Sequence, residues 1–227
     1  MAKTIFITGA SGNLGKAAVE RFTSKGDRVI ATVTPGKSLG FQISGDVQTV
    51  EADLTDELAV NNIIQSVIEK NQTIDAAVLL VGGFAMSGIK ETDGAALRKM
   101  FSLNFETAYF CVRPLFEQMQ KQNGGRIALI GARPALVASA GKGALAYALS
   151  KSLLFKLADM LNAEGASNNV ITSVIVPSTI DTPQNRVAMP NADFSKWVPT
   201  ETVAEVIDFA VSSSALREPV FKVYGNG

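Results

Sequence analysis

The sequence predicts an α/β fold: a single doubly wound domain over residues 1–227, with a seven-stranded parallel sheet and helices on both faces. Three observations carry this. Short β-branched apolar segments alternate with longer helical patterns along the whole chain. Most of the apolar segments are continuous runs rather than strict alternations, as strands covered on both faces require. The length of 227 residues, with 47% hydrophobic and 19% charged, suits one unit with a large core and excludes a disordered chain. The first strand, Thr4–Thr8, leads into a helix over Asn13–Lys25. A second strand follows at Arg28–Val33 and a third at Val47–Glu51. The next helix, Asp56–Lys70, carries Leu58, Ile63, Ile64, Val67 and Ile68 as one apolar stripe at helical spacing. A fourth strand is expected at Ile74–Val81, a long helix over Ala95–Gln122, and a fifth strand at Arg126–Gly131. Then come a helix over Gly143–Glu164, a sixth strand at Val170–Val176, a helix over Glu201–Ser213 and a last strand at Val220–Tyr224. Between Pro177 and Pro199 the pattern is irregular. A connection of that length reads either as a substrate lid, at about 178–199, or as a surface excursion.

Composition removes several classes of function. Lys plus Arg and Asp plus Glu both number 21, so the basic excess of a nucleic-acid binder is missing. There is no histidine, which excludes Ser–His–Asp chemistry and histidine-ligated metals. The lone cysteine, Cys111, excludes an internal disulfide and a multi-cysteine zinc site, so no metal is expected, and it is compatible with a reducing cytoplasm. The longest apolar run, Ala76 to Val81, is too short to cross a bilayer. The pattern of an export signal is not visible near Met1. A cytoplasmic protein with a small-molecule substrate, and neither nucleic acid nor membrane as partner, is the expectation.

Thr8-Gly9-Ala10-Ser11-Gly12-Asn13-Leu14-Gly15 lies between the first strand and the first helix. Glycines at 9, 12 and 15 permit a tight turn and close approach of a pyrophosphate, and the helix start behind them offers free N–H groups and a positive dipole end. The spacing differs from the usual G-x-G-x-x-G, and a plain strand–helix turn would use similar residues. Its place after the first strand points to a dinucleotide. Dinucleotide folds that take NAD commonly carry an acid near the end of the second strand, on the ribose 2′-hydroxyl. No Asp or Glu occurs between Arg28 and Gly45. That removes repulsion against a 2′-phosphate, and Lys37 either pairs with one or is an ordinary loop lysine. Asp53, followed by Leu54, either accepts from the adenine amino group or helps to start the next helix.

Tyr147 and Lys151 are four residues apart in a helical segment and so share a face. A free phenol, with a pKa of ~10, is a weak donor near neutrality, and an adjacent ammonium is expected to lower that pKa. The same lysine can hydrogen-bond a ribose. Such a pair is common by chance; the glycine turn and the strand before it favour the functional reading. Asn104, among Phe101, Leu103, Phe105 and Tyr109, is either an exposed helical amide or a buried one that needs partners.

The glycine turn, Asn104, Tyr147-Ala148-Leu149-Ser150-Lys151, and Pro177 with Thr182 together closely resemble the short-chain dehydrogenase/reductase family, whose domain is of the Rossmann type. The resemblance covers nearly the whole chain. Within the family, Val81–Ala85, Gly131–Leu136 and Asp181–Arg186 running on to Met189–Trp197 are most similar to the dihydropteridine reductase group. The resemblance implies that Tyr147 donates the proton, that Lys151 holds the nicotinamide ribose and tunes Tyr147, and that Asn104 holds the active-site helix and a relay water. It implies that Gly9, Ser11, Gly12, Asn13, Leu14 and Gly15 meet the pyrophosphate. Thr34, Lys37, Asp53 and Leu54 would meet the adenosine. Gly82, Gly83, Pro177, Ile180 and Thr182 would meet the nicotinamide end, with Thr182 and the backbone near Ile180 on the carboxamide.

Three departures from the general family pattern stand out. Its Asn-Asn-Ala-Gly turn reads Leu79-Leu80-Val81-Gly82 here. Its carbonyl-polarising serine is Ala132, as the dihydropteridine reductase group also resembles; Ser139 lies further along the loop. The acid familiar in that group is Thr34, so NADP is favoured slightly over NAD. The implied activity is NAD(P)H-dependent reduction of a quinonoid dihydropterin or similar conjugated acceptor. The alternatives are a general carbonyl/alcohol oxidoreductase and a non-enzymatic dinucleotide sensor. The resemblance also implies a homodimer or homotetramer formed through Ala95–Gln122 and Gly143–Glu164.

Overall fold

The computed structural model describes residues 2–225. Strands β1 (Thr4–Thr8), β2 (Arg28–Val33), β3 (Val47–Glu51), β4 (Ala76–Leu79), β5 (Gly125–Ile130), β6 (Val170–Pro177) and β9 (Val220–Val223) form one sheet in the order β3-β2-β1-β4-β5-β6-β9. Every pairing in it is parallel. The strand order reverses between β1 and β4, which opens a crevice beyond the carboxyl ends of the strands, where doubly wound folds bind ligands. Two short strands, β7 (Ile180–Asp181) and β8 (Val198–Pro199), pair with each other beside it.

Period-2 alternation sends side chains to two separate cores. Phe6, Ile30, Leu79 and Leu129 pack with Val60, Ile64, Leu115 and Leu154 from α2 (Glu57–Asn71), α4 (Thr107–Lys121) and α7 (Leu145–Gly165). Ile5, Ile7, Val29 and Val78 pack on the other face with Val19, Phe22, Val203 and Ile207 from α1 (Asn13–Ser24) and α9 (Thr200–Ser212). The Asp208 side chain, 5% exposed, fastens α9 to α1 by accepting from Arg21 Nε at 2.8 Å and from Lys25 Nζ. Burial works to raise its pKa, but the hydrogen bonds from Lys25, Arg21 and Ser212 outweigh it and hold the carboxyl below its ordinary value. The helix that carries the glycine turn is thereby held against the C-terminal helix.

The structure departs from the sequence expectations at four places. The fourth strand is shorter, because Leu80 N–H leaves the ladder to donate to Thr8 Oγ1 at 3.0 Å. The helix expected over Ala95–Gln122 is split into α3 (Gly94–Phe101) and α4 by a wide π-helical turn at Ser102–Glu106. Two short helices, α5 (Arg133–Leu136) and α6 (Ala138–Gly141), precede α7. Lastly, residues 178–199 are not irregular: they fold into β7, α8 (Pro183–Ala188), a 3₁₀ turn at Phe194–Lys196 and β8. Asp181 accepts from Arg186 Nε and Nη2 at 2.6 and 2.7 Å, the Arg186 guanidinium lies 4.9 Å from the centre of the Phe194 ring, and Phe194 packs on Trp197. Polar residues that read as solvated loop in the sequence are paired with one another here. No helix among the described residues is long and apolar enough to cross a membrane.

Candidate active site

β1 delivers the chain to Gly9, whose φ of +65° is a conformation that a side chain disfavours. Gly12 N–H donates to Gly9 O at 3.0 Å and closes the turn. Gly15 packs directly against it: a Cβ there would lie 2.2 Å from Gly9 O, so only glycine fits. The N-cap of α1, Gly12, has no side chain to satisfy the first-turn N–H groups, and the first turn contains no acid. Those donors and the positive end of the helix dipole suit a phosphate. Ser11 is exposed at the turn and Leu14 is half-buried below it. Asn13 Nδ2 donates to Gln184 Oε1 at 2.6 Å, which joins the glycine turn to α8. The residues present therefore fit a dinucleotide's pyrophosphate.

At the neighbouring strand ends, Thr34 is exposed and Lys37 N–H donates to its carbonyl at 2.9 Å, forming a turn. The helix-starting role left open for Asp53 belongs to Asp56, which accepts from Leu58 and Ala59 N–H. Asp53 Oδ1 accepts from Thr55 Oγ1 and N–H at 2.7 and 3.0 Å, hydrogen bonds that lower its pKa. Leu54 is buried under this corner. A residue that the sequence reading missed is Glu51. Strand register sets it opposite Val33, the last residue of β2, and its Oε2 accepts from Gly36 N–H at 2.8 Å. This acid arrives from the adjacent strand rather than from the chain beyond β2.

The other end of the crevice is organised by Asn104, which is fully buried in the π turn. Its Oδ1 accepts from Gly83 N–H at 2.8 Å. Its Nδ2 donates to Gly83 O at 3.1 Å and Ser150 Oγ at 3.0 Å. Of the two readings of this amide, the structure supports the buried one. Ser150 lies between Tyr147 and Lys151 and donates to Tyr147 O at 2.8 Å, so Asn104 ties the loop after β4 to the first turns of α7. Gly82 is where these groups converge: a Cβ there would stand 2.6 Å from Asn104 Oδ1 and 3.0 Å from Lys151 Nζ. Lys151 is buried and donates to Ile130 O at 2.8 Å. The ring of Phe84, itself exposed, meets Tyr147 edge-on at 4.9 Å between centroids.

The acidity of this pair differs from the sequence expectation. Burial pushes the Tyr147 phenol up to about 12, rather than the lysine pulling it down. Burial also brings Lys151 down to about 8. The low-polarity setting disfavours both charged forms. Across the crevice, Pro177 is buried at the end of β6 and Ile180 O accepts from Asn185 Nδ2 at 2.8 Å. Thr182 caps α8 by accepting from Asn185 N–H at 3.2 Å. Ala132 is buried at the start of α5 and offers no donor, while Ser139 is exposed on α6.

A parallel doubly wound sheet, a phosphate-ready helix start and a helix face with half-buried Tyr147 and buried Lys151 define an NAD(P)-dependent oxidoreductase. Residues 3–192 match the family profile described as short chain dehydrogenase, and the chain belongs to that family. It is 28% identical over 211 residues to the dihydropteridine reductase of Dictyostelium discoideum, covering 90% of this chain and 86% of that one. It is also 28% identical over 190 residues to the acetoacetyl-CoA reductase of Acinetobacter sp. (strain RA3849), with 80% and 75% covered. Among solved structures, its fold is similar to ElxO with NADP bound, with a TM-score of 0.90 at 23% identity and 98% and 97% of the two chains covered.

The buried lysine gives a stability test. With Lys151 near 8 in the folded chain against an ordinary 10.5, the unfolded chain holds a proton between those values that the folded chain has lost. Stability should therefore rise with pH over that interval, as the unfolded state binds more protons. Urea unfolding from pH 8 to about 9, below the ordinary pKa of a phenol at ~10, should show this rise in wild type and not in Lys151→Met. Parallel profiles for the two proteins would show that the ammonium carries no burial penalty.

Proposed function

We propose that this chain reduces a conjugated, already electrophilic acceptor, such as a quinonoid dihydropterin, using NADPH or NADH. The observation that carries the reading is Ala132 at the start of α5, whose side chain offers no hydrogen-bond donor where a simple carbonyl would need a second one. The exposed Phe84 ring beside Tyr147 offers a flat aromatic surface in keeping with a ring-shaped substrate. Similarity to a dihydropteridine reductase over 90% of the chain supports it. The nicotinamide cofactor, when bound, supplies the hydride.

In this reading Gly9, Ser11, Gly12, Asn13, Leu14 and Gly15 hold the pyrophosphate. Thr34, Lys37, Asp53 and Leu54 border the adenosine. Lys151 already spends one proton on Ile130 O and has two others to offer the nicotinamide ribose. Gly82, Gly83 and Pro177 shape the floor beneath the ring, and Thr182 with the backbone at Ile180 fixes the carboxamide. Tyr147 keeps its proton at neutral pH and delivers it to the substrate as hydride arrives. Asn104 acts through Gly83 and Ser150 to hold the tyrosine's helix in place. Orientation of donor and acceptor supplies much of the acceleration. NADPH is bound at least as well as NADH, because Lys37 follows the end of β2, although Glu51 of β3 stands level with it. The folded segment 178–199 serves as a lid, and the exposed Tyr109, Leu149, Leu153 and Met160 of α4 and α7 join copies into a homodimer or homotetramer.

Three measurements test this. The first compares kcat/KM for quinonoid dihydropterin and for a simple ketone. Wild type should favour the quinonoid acceptor, Tyr147→Phe should lose up to about 10²–10⁴-fold, and Ala132→Ser should raise ketone reduction more than quinonoid reduction. A wild type that prefers the ketone, as a role like that of the acetoacetyl-CoA reductase would require, overturns the substrate reading. For the lid, the fluorescence of Trp197, the chain's one tryptophan, should change and residues 182–197 should gain protease protection with cofactor and a substrate analogue; silence in both refutes closure. A one-chain mass in light scattering rejects the assembly.

A further inference from the structure

We propose that Glu51 and Lys37 form a two-sided recognition site for the 2′ position of the adenosine ribose. Glu51 favours a free hydroxyl and Lys37 a phosphate, so that one site takes both cofactors. The inference deepens the cofactor reading above and rests on it.

The placement follows from register. Parallel pairing of β2 and β3 puts Glu51 level with Val33, where the second strand ends and the chain turns through Thr34 to Lys37. A dinucleotide whose pyrophosphate lies on the start of α1 brings its adenosine ribose to the end of this second strand. A cleft of about 640 Å³ opens there, lined in part by Lys37, Ser38, Leu39, Phe41, Thr49 and Glu51. That volume is within the range of small-molecule sites. The loop over residues 34–46 contains no helix, yet it is anchored: Leu39, Phe41 and Ile43 pack onto the second core, and Lys16 Nζ lies 5.6 Å from the Phe41 ring centre.

The charges around the cleft are few and divided. Glu51 uses Oε2 to accept from Gly36 N–H, which fixes the carboxylate against the turn and leaves Oε1 free to accept from a ribose hydroxyl. Lys37 makes no ion pair among the described residues, so its ammonium is available to a phosphate. Lys16, on the α1 side, is shared with Glu20 at 3.8 Å. A carboxylate beside a 2′-phosphate repels it, and an ammonium attracts it; both effects weaken with salt because the groups are exposed. The absence of an acid from β2 and its following loop thus does not leave the site without one.

The test is equilibrium binding of NADPH and NADH by nucleotide fluorescence at low and high salt, with 2′,5′-ADP and 5′-AMP as competing probes. Glu51→Gln keeps an acceptor for Gly36 N–H and removes only the charge. It should tighten NADPH and 2′,5′-ADP about 3–10-fold at low salt and leave NADH equal or weaker, with the gain shrinking at high salt. Lys37→Gln should weaken NADPH and 2′,5′-ADP by a similar factor while sparing NADH and 5′-AMP. A NADPH-to-NADH ratio that moves less than twofold in both variants overturns the proposal. Equal weakening of both nucleotides in Glu51→Gln also overturns it, since Glu51 would then only hold the loop. The wild-type ratio is a separate readout: NADH binding tenfold tighter, about 1.4 kcal/mol, overturns the NADPH preference proposed above while leaving the role of Glu51 to the variants.

Discussion

A single buried amide holds the chemical end of this protein together. Asn104 is fully buried, so its donors and acceptor need partners inside the protein, and an unmet one would cost about 1–3 kcal/mol. They are met by Gly83 on the loop after β4 and by Ser150 on α7. The π turn at Ser102–Glu106 is what brings the amide into that position. A regular helix through the same residues would rotate it away, which accounts for an irregular turn at the centre of a long helical segment. Gly82 belongs to the same constraint, because any side chain there would meet Asn104 and Lys151.

Burial governs the chemistry of the pair that Asn104 supports. Tyr147 and Lys151 share a helix face, but the lysine ammonium is directed to Ile130 O and the Tyr147 ring packs at a steep angle on the ring of Phe84. In the protein alone, desolvation dominates both groups and keeps the tyrosine protonated and the lysine easily deprotonated. The site is therefore a reservoir of one proton beside a weakly held positive charge, a setting in which small changes in the crevice have large effects on protonation. Ala132, at the start of α5, adds no side-chain donor.

The other end of the crevice follows a different rule. The end at β2 and β3 is built from strand ends and a helix-free loop, and its charges at Lys37 and Glu51 are exposed. The folded segment 178–199 is joined to the glycine turn. Asn13 reaches Gln184 on α8, while Asp181, Arg186, Phe194 and Trp197 give the segment packing of its own. The unit is also tied down at its ends, where Val198 is buried in the second core and Ile180 packs against it.

The order of strands and helices was legible in the sequence, since continuous apolar runs and helical spacing report burial directly. The glycine turn was legible too: Gly9 and Gly15 are forced by a positive φ and by a backbone contact, constraints that only glycine meets. The four-residue step from Tyr147 to Lys151 fixed their common face. Other features depended on groups far apart in the chain. The π turn exists because Asn104 finds Gly83 and Ser150, 21 and 46 residues away. The raised phenol pKa reflects desolvation by the folded protein around it, which spacing to a lysine cannot convey. Residues 178–199 looked irregular because their order comes from a salt bridge, two rings and a strand pair rather than from periodicity. Glu51 stayed hidden because its distance from Thr34 along the chain says nothing about strand register. Sequence determined what each segment would become, and tertiary structure decided which side chains met, because hydrogen bonds, charge and desolvation act through space.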